Sequence, residues 1–274
     1  MLLRIVAELL ALVVSGAVLF VALSYSHAFW HRRRTTRVAN LLRAALFELG
    51  AVLLLLPFWP LWWLVGASYE VATEGEGQAR NPRHPVILLH GFAMNRTNWI
   101  WLGRRLAARG IGPLYGTTYF SLQPIARSAA KLARFVDEVR AKAQCERVDI
   151  VAHSLGGVVA RWYIDRLDGA GKIGRVVTIG SPHRGTLTSR LGPLIPSARE
   201  TRVDSDFYTA LGPITPRDGI SYTSVWSRAD AVIEPPESSS IAPAGADCVF
   251  DDLGHLSLLL SPRVLDAVAE RLCA

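Results

Sequence analysis

The chain has 274 residues, half of them hydrophobic, with a net charge of +7 and three cysteines. That length suits one α/β domain plus an appendage. Cys145, Cys248 and Cys273 lack metal-ligand spacing, and three free thiols are expected rather than a Cys248–Cys273 disulfide. Six of the arginines lie within residues 1–67, and the remainder holds no basic helix with interleaved aromatics, so no nucleic-acid partner is expected.

Residues 1–67 read as a membrane anchor. Ile5 to about Tyr25 is apolar except for Glu8, long enough to cross a bilayer as a helix. Arg4 stands four residues before Glu8 and can pair with it. The basic stretch Arg32-Arg33-Arg34-Thr35-Thr36-Arg37 follows, and its charge argues against signal-peptide cleavage after Ala28. A second apolar run, from about Ala44 to Val65, contains Glu48, Pro57 and Pro60 and ends in Trp59, Trp62 and Trp63. Two transmembrane helices are expected, with the arginine loop cytoplasmic and everything after Trp63 on the outer (periplasmic) face of the inner membrane. Residues 68–84 are polar and unpatterned, a linker with a reach of about 25 Å.

Residues 85–274 alternate strands with helices. Val86-Ile87-Leu88-Leu89 is wholly apolar, as a strand buried on both faces must be, and runs into His90-Gly91-Phe92-Ala93. A helix through Trp99, Leu102 and Leu106 and a strand from Leu114 to Tyr119 come next. Ile125 to Lys142 places Ala129, Leu132, Phe135, Val136 and Val139 on one helical stripe. Val148 to Ala152 is a strand, Leu155 to Asp168 a helix, and Arg175 to Ile179 a strand. This rhythm predicts a parallel sheet with helices on both faces. Residues 187–217 break it and read as a cap-like insertion over the carboxyl edge of the sheet. The strands Ile220 to Trp226 and Asp247 to Phe250 and a helix from Pro262 to Leu272 complete the chain. Trp99, Trp101 and Leu187, Leu191, Leu194 and Ile195 are candidates either for core or for the rim of a pocket.

Ala152-His153-Ser154-Leu155-Gly156 has the spacing of a nucleophile elbow, with alanine in place of the first glycine. The turn is so sharp that residues two before and two after the serine must be small. A serine so placed needs a base, and the base an acid, in the chain order Ser, acid, His. Of the two histidines beyond Ser154, His183 follows the adjacent strand directly, whereas His255 follows the last strand and is the expected base. Asp230, just past the strand ending at Trp226, is the expected acid; Asp251 and Asp252 lie too near His255 along the chain. Oxyanion donors are expected at the backbone N–H groups of Leu155 and Phe92.

Together with Gly180-Ser181-Pro182-His183-Arg184-Gly185-Thr186 and Gly254-His255-Leu256-Ser257, these motifs resemble the α/β-hydrolase family of bacterial triacylglycerol lipases and esterases. The resemblance covers residues 85–272. It implies an α/β-hydrolase fold, Ser154 as nucleophile with Asp230 and His255, and Phe92 and Leu155 at the oxyanion. Ala93-Met94 stands where many relatives carry a second glycine. Larger relatives bind calcium near the histidine; Asp247, Asp251 and Asp252 form no hard-cation loop, so neither metal nor cofactor is expected. A structural role is expected for His183. The reading is a membrane-anchored serine hydrolase of lipid-like esters, partnered by its substrate and the bilayer. The alternatives are an acyltransferase using the same triad and an inactive membrane scaffold.

Overall fold

The computed structural model describes residues 2–32, 35–55, 68–71 and 84–274. Seven strands form one sheet: β1 (Ser68–Val71), β2 (Val86–Leu89), β3 (Leu114–Thr117), β4 (Val148–His153), β5 (Ile173–Ile179), β6 (Ser221–Ser227) and β7 (Ala246–Phe250). Their spatial order is β1-β3-β2-β4-β5-β6-β7, with β1 antiparallel to β3 and all other pairs parallel. Residues 68–71, expected in a linker, are therefore an edge strand of the sheet itself. Ser68-Tyr69-Glu70-Val71 alternates over only two repeats, which carries little strand signal alone, and pairing with β3 decides its conformation. Residues 72–83 of the expected linker, and the tryptophans at 59, 62 and 63, lie outside the described residues.

Helices cover both faces, as the alternating pattern requires. On one face α4 (Ile125–Ala143) and α5 (Leu155–Arg166) pack on Ile87, Leu89, Val148 and Ile150. On the other, α3 (Ile100–Ala107) and α8 (Pro262–Cys273) pack on Val86, Leu88, Val151 and Val177. Trp99 is fully buried in that second cluster, with Trp101 against it, so this pair is core and not pocket rim. The insertion folds as a short 3-10 turn, Leu187–Leu191, then α6 (Pro196–Glu200) and α7 (Asp206–Leu211). Glu200 pins it to the body by accepting from the first amide of α4, Ile125 N, at 2.6 Å. All three cysteines are free.

The N-terminal segment forms a helical hairpin, α1 (Leu2–Arg32) and α2 (Val38–Leu55). By length and composition α2 is apolar enough to cross a membrane. Its stripe Leu41, Ala44, Glu48, Val52 and Leu55 is nonetheless buried, and the hairpin shares a cluster with Ala229 and Ala231 of the hydrolase body. Arg32 donates to the carbonyl of Arg228 at 3.0 Å and lies 3.2 Å from Glu234 in an ion pair. The arginine loop was expected across the bilayer from the hydrolase domain. In the folded chain Arg32, at the start of that loop, instead touches the hydrolase body directly.

His183 shows how the body tolerates a buried histidine. Its Nε2 is 3.0 Å from Thr178 Oγ1, and its carbonyl accepts from Arg161 at 3.0 Å. Burial, helped by the Arg161 and Arg184 charges, holds its pKa down at about 3. The folded protein thus keeps the ring neutral where the unfolded chain takes up a proton, so stability present above pH 6.5 is lost as pH falls. Relative to His183→Gln, the wild type should lose about 2 kcal/mol of stability between pH 7 and pH 5, read from denaturant unfolding of the two proteins in detergent. A difference that does not change with pH would show that the ring is not held neutral.

Candidate active site

The carboxyl ends of β2, β4, β5 and β6 deliver four loops to one edge of the sheet, where side chains of distant sequence converge. At the centre, β4 ends at His153 and α5 begins at Leu155, with Ser154 between them at φ 53° and ψ −125°. A left-handed non-glycine residue costs about 1–3 kcal/mol and persists only where its surroundings over-determine it. Here Ser154 N donates to Ile179 O of the adjacent strand at 2.9 Å. A Cβ on Gly156 would lie 2.7 Å from the carbonyl oxygens of Leu89 and His90, so only glycine lets α5 pass so close to β2. The smallness read from the motif has this physical cause.

Asp230 and His255 meet as expected. His255 Nδ1 lies 2.7 Å from Asp230 Oδ2, and both side chains are almost fully buried. The other carboxylate oxygen, Oδ1, accepts from Val232 N at 2.8 Å and Ile233 N at 3.0 Å. Burial opposes the charge on Asp230, but the His255 ring and these hydrogen bonds outweigh it and hold the carboxyl below its ordinary pKa. Burial likewise disfavours the His255 imidazolium, but the charge and hydrogen bond of Asp230 raise its pKa, with Glu48 adding in the same sense. Behind the pair, the His153 ring stands 4.7 Å from that of His255, and its Nε2 is 3.2 Å from the His255 carbonyl. Burial keeps His153 neutral, with a pKa of about 3. Asp251 pairs with Arg228 and Asp252 with Arg263 near the surface, away from this arrangement.

Phe92 and Leu155 flank Ser154. Leu155 opens α5, where a first-turn N–H has no acceptor within the helix. Phe92 sits on the loop after β2, and Tyr119 shapes that loop through His90. Tyr119 N donates to His90 Nε2 at 3.1 Å, and its hydroxyl to the His90 carbonyl at 2.6 Å. Two apolar cavities open on either side of Ser154. One, of about 480 Å³, also touches His255, Met94 and Leu256; the other, of about 310 Å³, lies under the insertion and reaches Leu191 and Ile195. Phe20, Phe92 and Ser154 border both. Of the insertion's apolar residues, Leu187, Leu191 and Leu194 are exposed, Leu191 at the mouth of the second cavity, which Ile195 also lines.

Sequence reasoning missed the contribution of the N-terminal hairpin. Phe20, Val52 and Leu55 wall the larger cavity, and Glu48 accepts backbone hydrogen bonds from Leu256 and Ser257, beside His255. The available signal was Glu48 itself, because a carboxylate within an apolar helix needs a buried partner.

The fold is shared with solved hydrolases. Bacillus licheniformis lipase BlEst2 in its mature form superposes with a TM-score of 0.61 at 14% identity, covering 75% of this chain and 98% of that one. A Paleococcus ferrophilus monoacylglycerol lipase gives 0.56 at 16% identity, covering 75% and 97%. An Exiguobacterium antarcticum esterase gives 0.52 at 16%, covering 76% and 95%. Residues 83–241, more than half of the sequence, match the family described as Lipase (class 2). The chain therefore belongs to the class 2 lipases and is a lipase/esterase hydrolase of the α/β-hydrolase fold.

Proposed function

We propose that the protein is a membrane-attached serine carboxylester hydrolase of lipid-like esters, with Ser154 as nucleophile, His255 as base and Asp230 as its orienting acid. The observation that carries this reading is the 2.7 Å His255–Asp230 contact, set with Ser154 at one apolar cavity. Asp230 holds the Nδ1–H tautomer, which leaves Nε2 to take the serine proton. Ser154 Oγ attacks the ester carbonyl carbon, and the resulting oxyanion is received by the N–H groups of Leu155 and Phe92. His255 returns the proton to the departing alkoxide, leaving an acyl-serine. Water, deprotonated by His255, repeats the sequence and releases the acid. Two apolar cavities flanking one serine suit an ester with an apolar group on each side.

The hairpin supports membrane attachment. Its outward face exposes Leu19, Leu23, Trp30, Leu42, Phe47 and Leu54, apolar surface that lipid would cover. The 31-residue α1 is long enough to cross a bilayer and α2 is apolar enough to do so, which supports attachment through this hairpin. The outer-face placement rested on a loop and a body on opposite sides. The Arg32–Glu234 contact supports both on one side, with the arginine-rich flank retaining them together at the cytoplasmic face.

Ser154→Ala should lower ester hydrolysis by about 10⁴-fold or more, and Asp230→Asn by orders of magnitude, with the fold intact by circular dichroism. A Ser154→Ala enzyme with half its activity would end the triad reading. The wild type should turn over p-nitrophenyl decanoate in micelles faster than the acetate in free solution; a strict acetyl preference would leave a generic esterase. A C-terminal green fluorescent protein fusion should be bright and an alkaline phosphatase fusion silent, whereas an active phosphatase would restore the outer-face placement.

A further inference from the structure

The two loops that bring Asp230 and His255 together are both gripped by the N-terminal hairpin. On the acid side, Arg32 of α1 donates to the Arg228 carbonyl and pairs with Glu234, spanning the segment that contains Asp230. Ala229 and Ala231 pack into the hairpin beside Tyr25, Ala28 and Leu41. On the base side, Glu48 of α2 is almost fully buried, and its carboxylate accepts from Leu256 N at 2.9 Å and Ser257 N at 3.0 Å. Those amides open the 3-10 turn Ser257–Leu260, whose first N–H groups have no acceptor within it. A Cβ on Gly254 would run into the Glu48 carboxylate and the Tyr25 hydroxyl, so the chain on the other side of His255 is shaped to admit the hairpin.

We propose that Glu48 is a positioning residue for His255, and that the N-terminal hairpin is a structural part of the active site as well as an anchor. The inference rests on the triad reading above. A buried carboxylate is costly unless hydrogen-bonded, and here its bonds are spent on the two amides that follow the base. Rotating or translating that loop by an ångström would carry the imidazole out of line with Ser154. The groups facing His255 are Asp230 after β6, His153 at the end of β4, Glu48 from α2 and Tyr25 from α1 beside Gly254. His153 is neutral; Asp230 supplies the main negative charge at the ring, and Glu48, whose pKa burial pushes up to about 7, adds to it as it ionises.

The test uses the full-length chain in detergent micelles with p-nitrophenyl decanoate. Glu48→Ala should lower kcat by about 10²-fold with KM little changed, since the base is displaced but the cavity remains. Glu48→Gln keeps one acceptor oxygen and should recover most of kcat. It removes the charge, so the acid limb of kcat/KM, which follows deprotonation of His255, should move to lower pH. A purely structural Glu48 would leave that limb in place. Should Glu48→Ala fail to fold, Glu48→Gln carries the test alone. Glu48→Ala at wild-type kcat, or Glu48→Gln with an unmoved limb, overturns the proposal. Ser154→Ala, measured in parallel, separates the two readings: an active Ser154→Ala brings down the triad, whereas an inactive one beside unaffected Glu48 variants brings down this inference alone.

Discussion

One reversed backbone conformation governs the centre of this molecule. Ser154 sits at φ 53° between β4 and α5, and the strain there is held by close packing of α5 against β2. Gly156 exists so that α5 can pass the carbonyls of Leu89 and His90, and Ala152 is fully buried at the end of its strand. The same turn raises the serine hydroxyl above the sheet and aims the start of α5 at the space beside it. Loops after β2, β5, β6 and β7 then have one place to converge, the carboxyl edge next to that hydroxyl.

Electrostatics at that edge is arranged by division of labour among buried groups. His90, His153 and His183 are held neutral chiefly by burial, with pKa values of about 4, 3 and 3. They serve as hydrogen-bonding spacers that shape loops without adding charge. His255 alone is pushed the other way, because a buried carboxylate stands at its Nδ1. A ring whose proton affinity is raised by an adjacent carboxylate is suited to taking a proton from a serine. Asp230 contributes by having both oxygens committed, one to the ring and one to two amides.

The hairpin changes the meaning of the N-terminal segment. Its inner face carries small residues, Ala17, Ala28, Ala44 and Ala51, that let the helices come close, together with Arg32 and Glu48 as the polar contacts to the body. Its outer face is apolar and exposed. One pair of helices thereby presents a surface suited to lipid while walling the cavity beside Ser154 with Phe20, Val52 and Leu55. Hairpin and hydrolase body share a wall.

Much of the body was legible because its signals are local or run in a fixed order. The apolar runs Val86–Leu89 and Val148–Ala152, the stripe of α4 and the Ala-x-Ser-x-Gly spacing each follow from steric or periodic rules that a few neighbouring residues satisfy. Asp230 and His255 were found from chain order, which the succession of parallel strands imposes. The pairing of Ser68–Val71 with β3 was not legible, since an edge strand takes its conformation from a partner more than forty residues away. Nor could hydropathy distinguish a helix that crosses lipid from one that lies on a protein. α2 passes the same test of length and apolarity either way, and hydropathy carries no trace of Glu48 reaching Leu256 or Arg32 reaching Glu234. The residues by themselves singled out the groups proposed to do the chemistry. Tertiary structure decided what holds those groups in place, because a contact between residues 48 and 256 leaves no periodicity and no spacing in the chain.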